Sequence, residues 1–134
     1  MYQHPWLVNN FGIGIDIESI DRFAELNVIQ DSAFLNKVFT KNELEYCFSN
    51  KIAAPHLAVR YAGKESVIKA LNSLGRLNLN YGDVEIINNK NGIPVVNINK
   101  AGFDDLGVQL SLSHCRDKAI AFAIVVDTRQ HDEA

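Results

Sequence analysis

Three observations make this chain an α+β domain, with an antiparallel sheet packed against a long central helix. Helical spacing of apolar residues dominates the first half of the sequence, and strand-type alternation around an Asn-Gly turn dominates the second. One further alternating strand stands near the N-terminus. The 134 residues, 47% of them hydrophobic, suit one domain spanning 1–134 with a substantial core, and no repeat or linker divides them.

In the first strand, Ile13, Ile15 and Ile17 alternate with Gly12, Gly14, Asp16 and Glu18, so a period of two places Asp16 opposite the isoleucines. Gly14, on the Asp16 face, leaves space for a ligand to approach the backbone beside that carboxylate. Taken alone, two solvated acids at a strand end is the plainer reading. Ser19 or Asp21 can then cap a short helix through Phe23 and Leu26, and Asp31 another through Phe34, Leu35 and Val38. Thr40-Lys41-Asn42-Glu43 is a capping box, flanked by Phe39 and Leu44 as a hydrophobic staple, and starts a helix toward Phe48.

The long helix is expected from about Pro55 to about Leu74, because Leu57, Tyr61, Ile68 and Leu71 recur at helical spacing and Pro55 suits a first turn. Arg60, Lys64 and Lys69 cluster around Glu65 on it, and Glu65 to Lys69 is the favoured order for a four-residue ion pair. An ordinary salt-bridged outer face would look like this. So would a carboxylate and cations set to receive a magnesium ion carrying phosphates.

Val84 to Ile87 and Ile93 to Ile98 form a hairpin across the Asn91-Gly92 turn pair. Val108, Leu110 and Leu112 alternate with Gln109, Ser111 and Ser113, and Ala119 to Val126 is nearly continuously apolar, as expected of a strand covered on both faces. His114 to Asp117 makes the loop between them. If the strand ran one residue further, His114 would share the face of Leu110 and Leu112, as a hydrogen-bonded core histidine would.

Charge and cysteines narrow the function. A net charge of −3 with interspersed signs argues against nucleic-acid binding. Cys47 and Cys115 have no metal-type spacing, which disfavours a disulfide framework or zinc site and fits a reducing cytoplasm. The N-terminal MYQHPWLVNNF has neither a basic leader nor a sustained apolar run, so neither signal peptide nor membrane span is expected, and the polar tail from about 129 to 134 should fray.

Taken in order, GIGIDIESIDRF, KVFTKNELEY, AVRYAGKESVIKAL, DVEIINNKNGIPVV and VQLSLSHCRDKAIAFAIVV resemble the holo-acyl-carrier-protein synthases, the small 4′-phosphopantetheinyl transferases, over nearly the whole chain. The resemblance implies the 4′-phosphopantetheinyl transferase fold and a homotrimer with shared active sites. It implies magnesium-dependent transfer of the phosphopantetheine arm of coenzyme A to a serine of an apo acyl carrier protein, in fatty acid biosynthesis or another carrier-dependent pathway. Asp16 and Glu65 match the metal ligands, and Lys69 matches a lysine near the reacting phosphate, where it would stabilise transition-state charge and could act as acid toward the leaving group. Arg60, Lys64 and His114 match positions that line the coenzyme site, to contact phosphates or hold the site together; Pro94 and Ser113 match residues near the nucleotide. The general base stays open among Asp16, Glu65 and a water held by the ion.

Three departures accompany the resemblance. Leu71-Asn72-Ser73-Leu74-Gly75 replaces a Gly-Thr-Gly turn, and Gly63 replaces an alanine, which weakens the helix by about 1 kcal/mol. Arg22, matched to carrier binding, stands almost alone beside Asp21, Glu25 and Asp31, so the partner could be a specialised carrier. A non-catalytic homologue that binds coenzyme A or a carrier, and a metal-dependent nucleotide or pyrophosphate hydrolase, are the competing classes.

Overall fold

The computed structural model describes residues 10–128. The N-terminal segment read for a leader, up to Asn9, and the polar tail from Arg129 lie outside the described residues. Strand β1 (Phe11–Ser19) is followed by a 3-10 turn at Ile20–Phe23, helices α1 (Ser32–Val38), α2 (Lys41–Ser49) and α3 (Ala54–Ser73), and a second 3-10 turn at Tyr81–Asp83. Strands β2 (Val84–Asn88), β3 (Pro94–Ile98), β4 (Leu106–His114) and β5 (Lys118–Asp127) complete the order. The strands form two antiparallel sheets rather than one: β1-β5-β4, and the β2-β3 hairpin apart from it. No helix among the described residues is long and apolar enough to cross a membrane.

Helix α3 is the organiser, buried on nearly every side. Its N-terminal half packs with Phe23, Leu35, Phe39 and Cys47 into one core, and its C-terminal half packs with Val84, Ile86, Ala123 and Val125 into another. A helix buried all round needs no apolar stripe, which is why spacing alone located it without saying which residues face water. Pro55 lies in its first turn. At its end Arg76 N–H donates to Leu71 O and Gly75 N–H to Asn72 O, with Gly75 at φ +77°, a Schellman cap. The run that replaces the Gly-Thr-Gly turn is therefore a regular helix stop.

The sheet lies with its small residues against α3. A Cβ built on Gly14 would fall 1.8 Å from Ser66 O, and one on Gly12 2.1 Å from Ala70 O. The glycines thus serve close strand-on-helix packing, and the space expected beside Gly14 for a ligand is filled by the helix. Correspondingly, Ile13, Ile15 and Ile17 face outward at 55%, 56% and 60% exposure. Strand β5 is covered on one face: Ala119, Ala121, Ala123 and Val125 are buried, whereas Ile120, Phe122 and Val126 remain open within this chain. Cross-strand registers Ile15↔Phe122 and Ile17↔Ile120 join the two outward sets into one apolar surface.

The predicted capping box is present, with Thr40 Oγ1 accepting from Glu43 N–H at 3.2 Å and Thr40 N–H donating to Glu43 Oε1 at 2.8 Å. The predicted side-chain caps at Ser19 and Asp31 do not form; Asp31 Oδ2 instead accepts from Asn27 N–H at 2.7 Å. In the β2–β3 connection, Asn89 Oδ1 accepts from Asn91 N–H and Ile93 N–H, and Gly92 takes φ +76°.

Candidate active site

Close packing of β1 on α3 brings Asp16 to the helix turn that carries Lys69. Lys69 Nζ donates to Asp16 Oδ1 at 3.2 Å and to Ile15 O at 3.1 Å. The predicted Glu65 to Lys69 pair is replaced by this contact, because a lysine half exposed on α3 can reach a carboxylate on the strand beneath it. Asp16 is itself largely covered, its side chain 12% exposed. Its Oδ2 is buried and accepts no hydrogen bond. A desolvated carboxylate oxygen without a donor is costly, and a hard cation is one partner that would satisfy it.

Glu18 follows on the same strand face and was not singled out from sequence, although the period of two that placed Asp16 there also places Glu18. Its carboxyl is raised from 4.5 to about 7, first by burial and then by the neighbouring Asp16, against the pull of Arg22. Arg22 holds Glu18 Oε1 at 2.8 Å and lies 5.1 Å above the Tyr61 ring. Tyr61 stacks on Tyr81 with ring centroids 5.4 Å apart. The Tyr81 hydroxyl donates to Glu65 Oε1. That hydrogen bond, with the one to Tyr61 and burial, holds the Tyr81 phenol well above its ordinary 10, so it stays a donor. Tyr81 opens the 3-10 turn Tyr81–Asp83, where Asp83 Oδ2 accepts from Asn80 N–H at 3.0 Å, and only the fold reveals that its hydroxyl meets Glu65.

Two clefts flank this part of α3. The larger, about 580 Å³, is lined by Lys37, Glu65, Ile68, Leu79, Tyr81 and Asp83; the smaller, about 230 Å³, by Ile15, Asp16, Ile17, Lys69 and Ile120. No group of three or more metal-type side chains gathers among the described residues. Magnesium asks for no such cage, taking one or two carboxylates and completing its shell with water and phosphate oxygens. The orphaned Asp16 oxygen and the crowded Asp16–Glu18 pair are donors of the kind such an ion takes, whereas Glu65, on the α3 turn before Lys69, lines the other cleft, with its Oε1 held by Tyr81.

The other predicted residues lie elsewhere on α3 and the sheets. Lys64 is no part of an outer face: it and Glu43 are sealed at 0% exposure each, 2.7 Å apart. Its ammonium also donates to Tyr81 O at 3.0 Å and to Val84 O. Arg60, 3% exposed, donates to Ile86 O at 3.3 Å and to His56 O at 3.4 Å and lies over the Tyr46 ring. It lines a separate cleft of about 320 Å³ with Asn42, Tyr46, Ile87 and Asn88, and Asn88 is the register partner of Pro94. His114 does fall within the strand, yet it is exposed and only its Nδ1 approaches Cys115 O, at 3.3 Å, so it is no core histidine. Burial, Arg60 and His114 together push the nearby His56 below its ordinary 6.5. Ser113 faces outward in register with Ile120.

Comparison with known proteins bears on this arrangement. The model of the 4′-phosphopantetheinyl transferase superfamily matches residues 12–123. A holo-[acyl-carrier-protein] synthase of Protochlamydia amoebophila is 43% identical over 116 residues, which span 84% of this chain and 95% of the relative. One of Thermodesulfovibrio yellowstonii is 40% identical, over 85% of this chain and 96% of the relative. Among solved structures, the acyl carrier protein synthase of Mycobacterium tuberculosis superposes with a TM-score of 0.67 at 33% identity, covering 87% of this chain and 96% of that one. The Helicobacter pylori holo-[acyl-carrier-protein] synthase in complex with coenzyme A does so at 0.71 and 28% identity, covering 84% and 98%.

Proposed function

The chain belongs to the 4′-phosphopantetheinyl transferase superfamily, and from that membership we propose that it is a holo-[acyl-carrier-protein] synthase. It moves the 4′-phosphopantetheine arm of coenzyme A to a serine of an apo acyl carrier protein. The observation that carries the magnesium-dependent form of this reading is the buried, unpartnered Asp16 Oδ2 on a strand pressed against the helix that bears Glu65 and Lys69.

In this reaction the serine hydroxyl gives its proton to a base, for which Asp16, Glu65 and water are the candidates, as its oxygen bonds to the pantetheine-linked phosphorus; the phosphorus–oxygen bond to the nucleotide breaks, and 3′,5′-ADP leaves. Asp16 and Glu65 would hold magnesium, and the chemistry that ion would supply there is neutralisation of diphosphate charge. Lys69, half exposed beside Asp16, has one donor beyond those given to Asp16 and Ile15 to turn toward the phosphoryl oxygens as their charge rises. Arg60, His114, Pro94 and Ser113 receive the nucleotide end, while Lys64 acts from inside by tying α2 and β2 to α3. Arg22, 54% exposed and next to Glu18, is placed to meet an acidic carrier.

The open apolar surface of β1 and β5 supports a homotrimer, in which that surface is covered by further copies; sedimentation would reveal a monomer if this is mistaken. Two free cysteines among the described residues agree with a cytoplasmic enzyme. Intact-mass analysis of apo carriers incubated with coenzyme A and magnesium should show the gain of one phosphopantetheine, abolished by Asp16→Ala and by Glu65→Ala in folded protein. No gain across fatty-acid, polyketide and peptide carriers would overturn transfer in favour of a binding module, and free phosphopantetheine without a carrier would favour hydrolysis.

A further inference from the structure

We infer that Tyr81 is a positioning residue for the metal site, its hydroxyl fixing the Glu65 carboxylate so that one oxygen is left for the ion. This rests on the assignment of Glu65 as a metal ligand. The phenol donates to Glu65 Oε1, leaving Oε2 as the oxygen not engaged by Tyr81. A carboxylate on a flexible side chain must give up rotamer freedom to bind an ion, and a fixed neighbouring donor removes that freedom beforehand.

The kind of donor matters. At Asp16 the donor is the Lys69 ammonium, whose charge competes with a cation. At Glu65 it is a neutral phenol, which orients the carboxylate while leaving its full negative charge for the ion. Tyr81 is itself held at both ends of the residue. Its carbonyl accepts from the sealed Lys64 ammonium at 3.0 Å, and its ring is stacked on Tyr61, which in turn lies beneath Arg22. Because Arg22 grips Glu18 beside Asp16, one continuous set of contacts runs from the backing of one carboxylate to the backing of the other.

Replacing Tyr81 by phenylalanine keeps the ring and the turn and removes only the hydroxyl. Titration of Mn2+ into protein with coenzyme A but no carrier, followed by the paramagnetic resonance of free ion, should show binding weakened ten- to hundredfold in Tyr81→Phe, the range for loss of a ligand's hydrogen-bonding partner. Saturating metal should restore most of kcat. In otherwise unaltered protein, 3-fluorotyrosine at position 81 should give a fluorine resonance that moves on adding Mg2+ and stays still in Glu65→Gln. If Tyr81→Phe binds Mn2+ as wild type does while Glu65→Gln does not, or if the fluorine resonance ignores Mg2+, the positioning role is overturned and the metal assignment stands. If Glu65→Gln also binds as wild type does, the assignment of Glu65 falls and the inference with it.

Discussion

Two lysines five residues apart on α3 each meet a carboxylate, and they do opposite things with it. Lys64 and Glu43 are both sealed from solvent, and every group near them is answered: Glu43 takes Thr40 N–H and Ile86 N–H as well as the ammonium, and the ammonium adds the carbonyls of Tyr81 and Val84. Even the second acid there, Glu85, accepts from Thr40 Oγ1 at 2.6 Å and Asn42 Nδ2 at 3.3 Å. Lys69 and Asp16 leave the cation half in water, a carboxylate oxygen unpaired, and a second acid, Glu18, crowded against the first. A saturated pair holds elements in register. An unsaturated one keeps capacity for a ligand.

The most damaging way to probe the contrast is Lys64→Met. It strands Glu43 as an uncompensated buried charge among elements from three parts of the chain, so stability should fall by about 3–5 kcal/mol, read from urea unfolding. Adding Glu43→Gln, which keeps the capping geometry, should recover part of the loss. Lys69→Met should do the reverse: stability within about 1 kcal/mol of wild type, since the pair is partly solvated, and kcat for carrier modification down by roughly 10²–10³, the scale of one lost donor to a developing charge. Loss of folding in Lys69→Met with folding kept in Lys64→Met would break the distinction.

Much of this was legible beforehand, and what was not has a common cause. The capping box at Thr40, the extent of α3 and both hairpins rest on local chemistry, which a sequence carries within a few residues. Asp16, Glu65 and Lys69 are proposed as site residues from the motifs that surround them. Their environments were not, because the face a residue presents is decided by what packs on it from afar. Alternation separated the isoleucines of β1 from Asp16, but Gly12 and Gly14 let α3 take the Asp16 side and left the isoleucines outward. Lys64 looked like one more surface cation because its partner Glu43 lies on the preceding helix, where it already serves the capping box. Gly63, expected only to weaken the helix, proves to sit where a Cβ would fall 2.6 Å from Ile86 Cδ1, so an alanine there needs the tip of the Ile86 side chain to shift before it gains its helical preference.

The smallest expected effect tests how tightly the saturated region is closed. Cys47 is fully buried beside the Lys64–Glu43 pair, and burial above all raises its thiol from 9.0 to about 11, with Glu43 adding to the rise and Arg60 and Lys64 opposing it. A group whose folded pKa is raised supports the folded state fully below its unfolded pKa and loses that support as the pH climbs through the folded one. Wild type should therefore lose stability between about pH 9 and pH 11 in a way that Cys47→Ala does not. Cys47→Ala should cost about 1 kcal/mol at pH 7 for the vacated sulfur volume, and the gap should narrow by pH 10 in urea unfolding. A disulfide reagent at pH 8 should modify Cys115, which is exposed, at once and reach Cys47 only on unfolding. Rapid modification of both thiols in native protein would mean that water reaches the Lys64 pair, and the two lysines would then differ in degree rather than in kind.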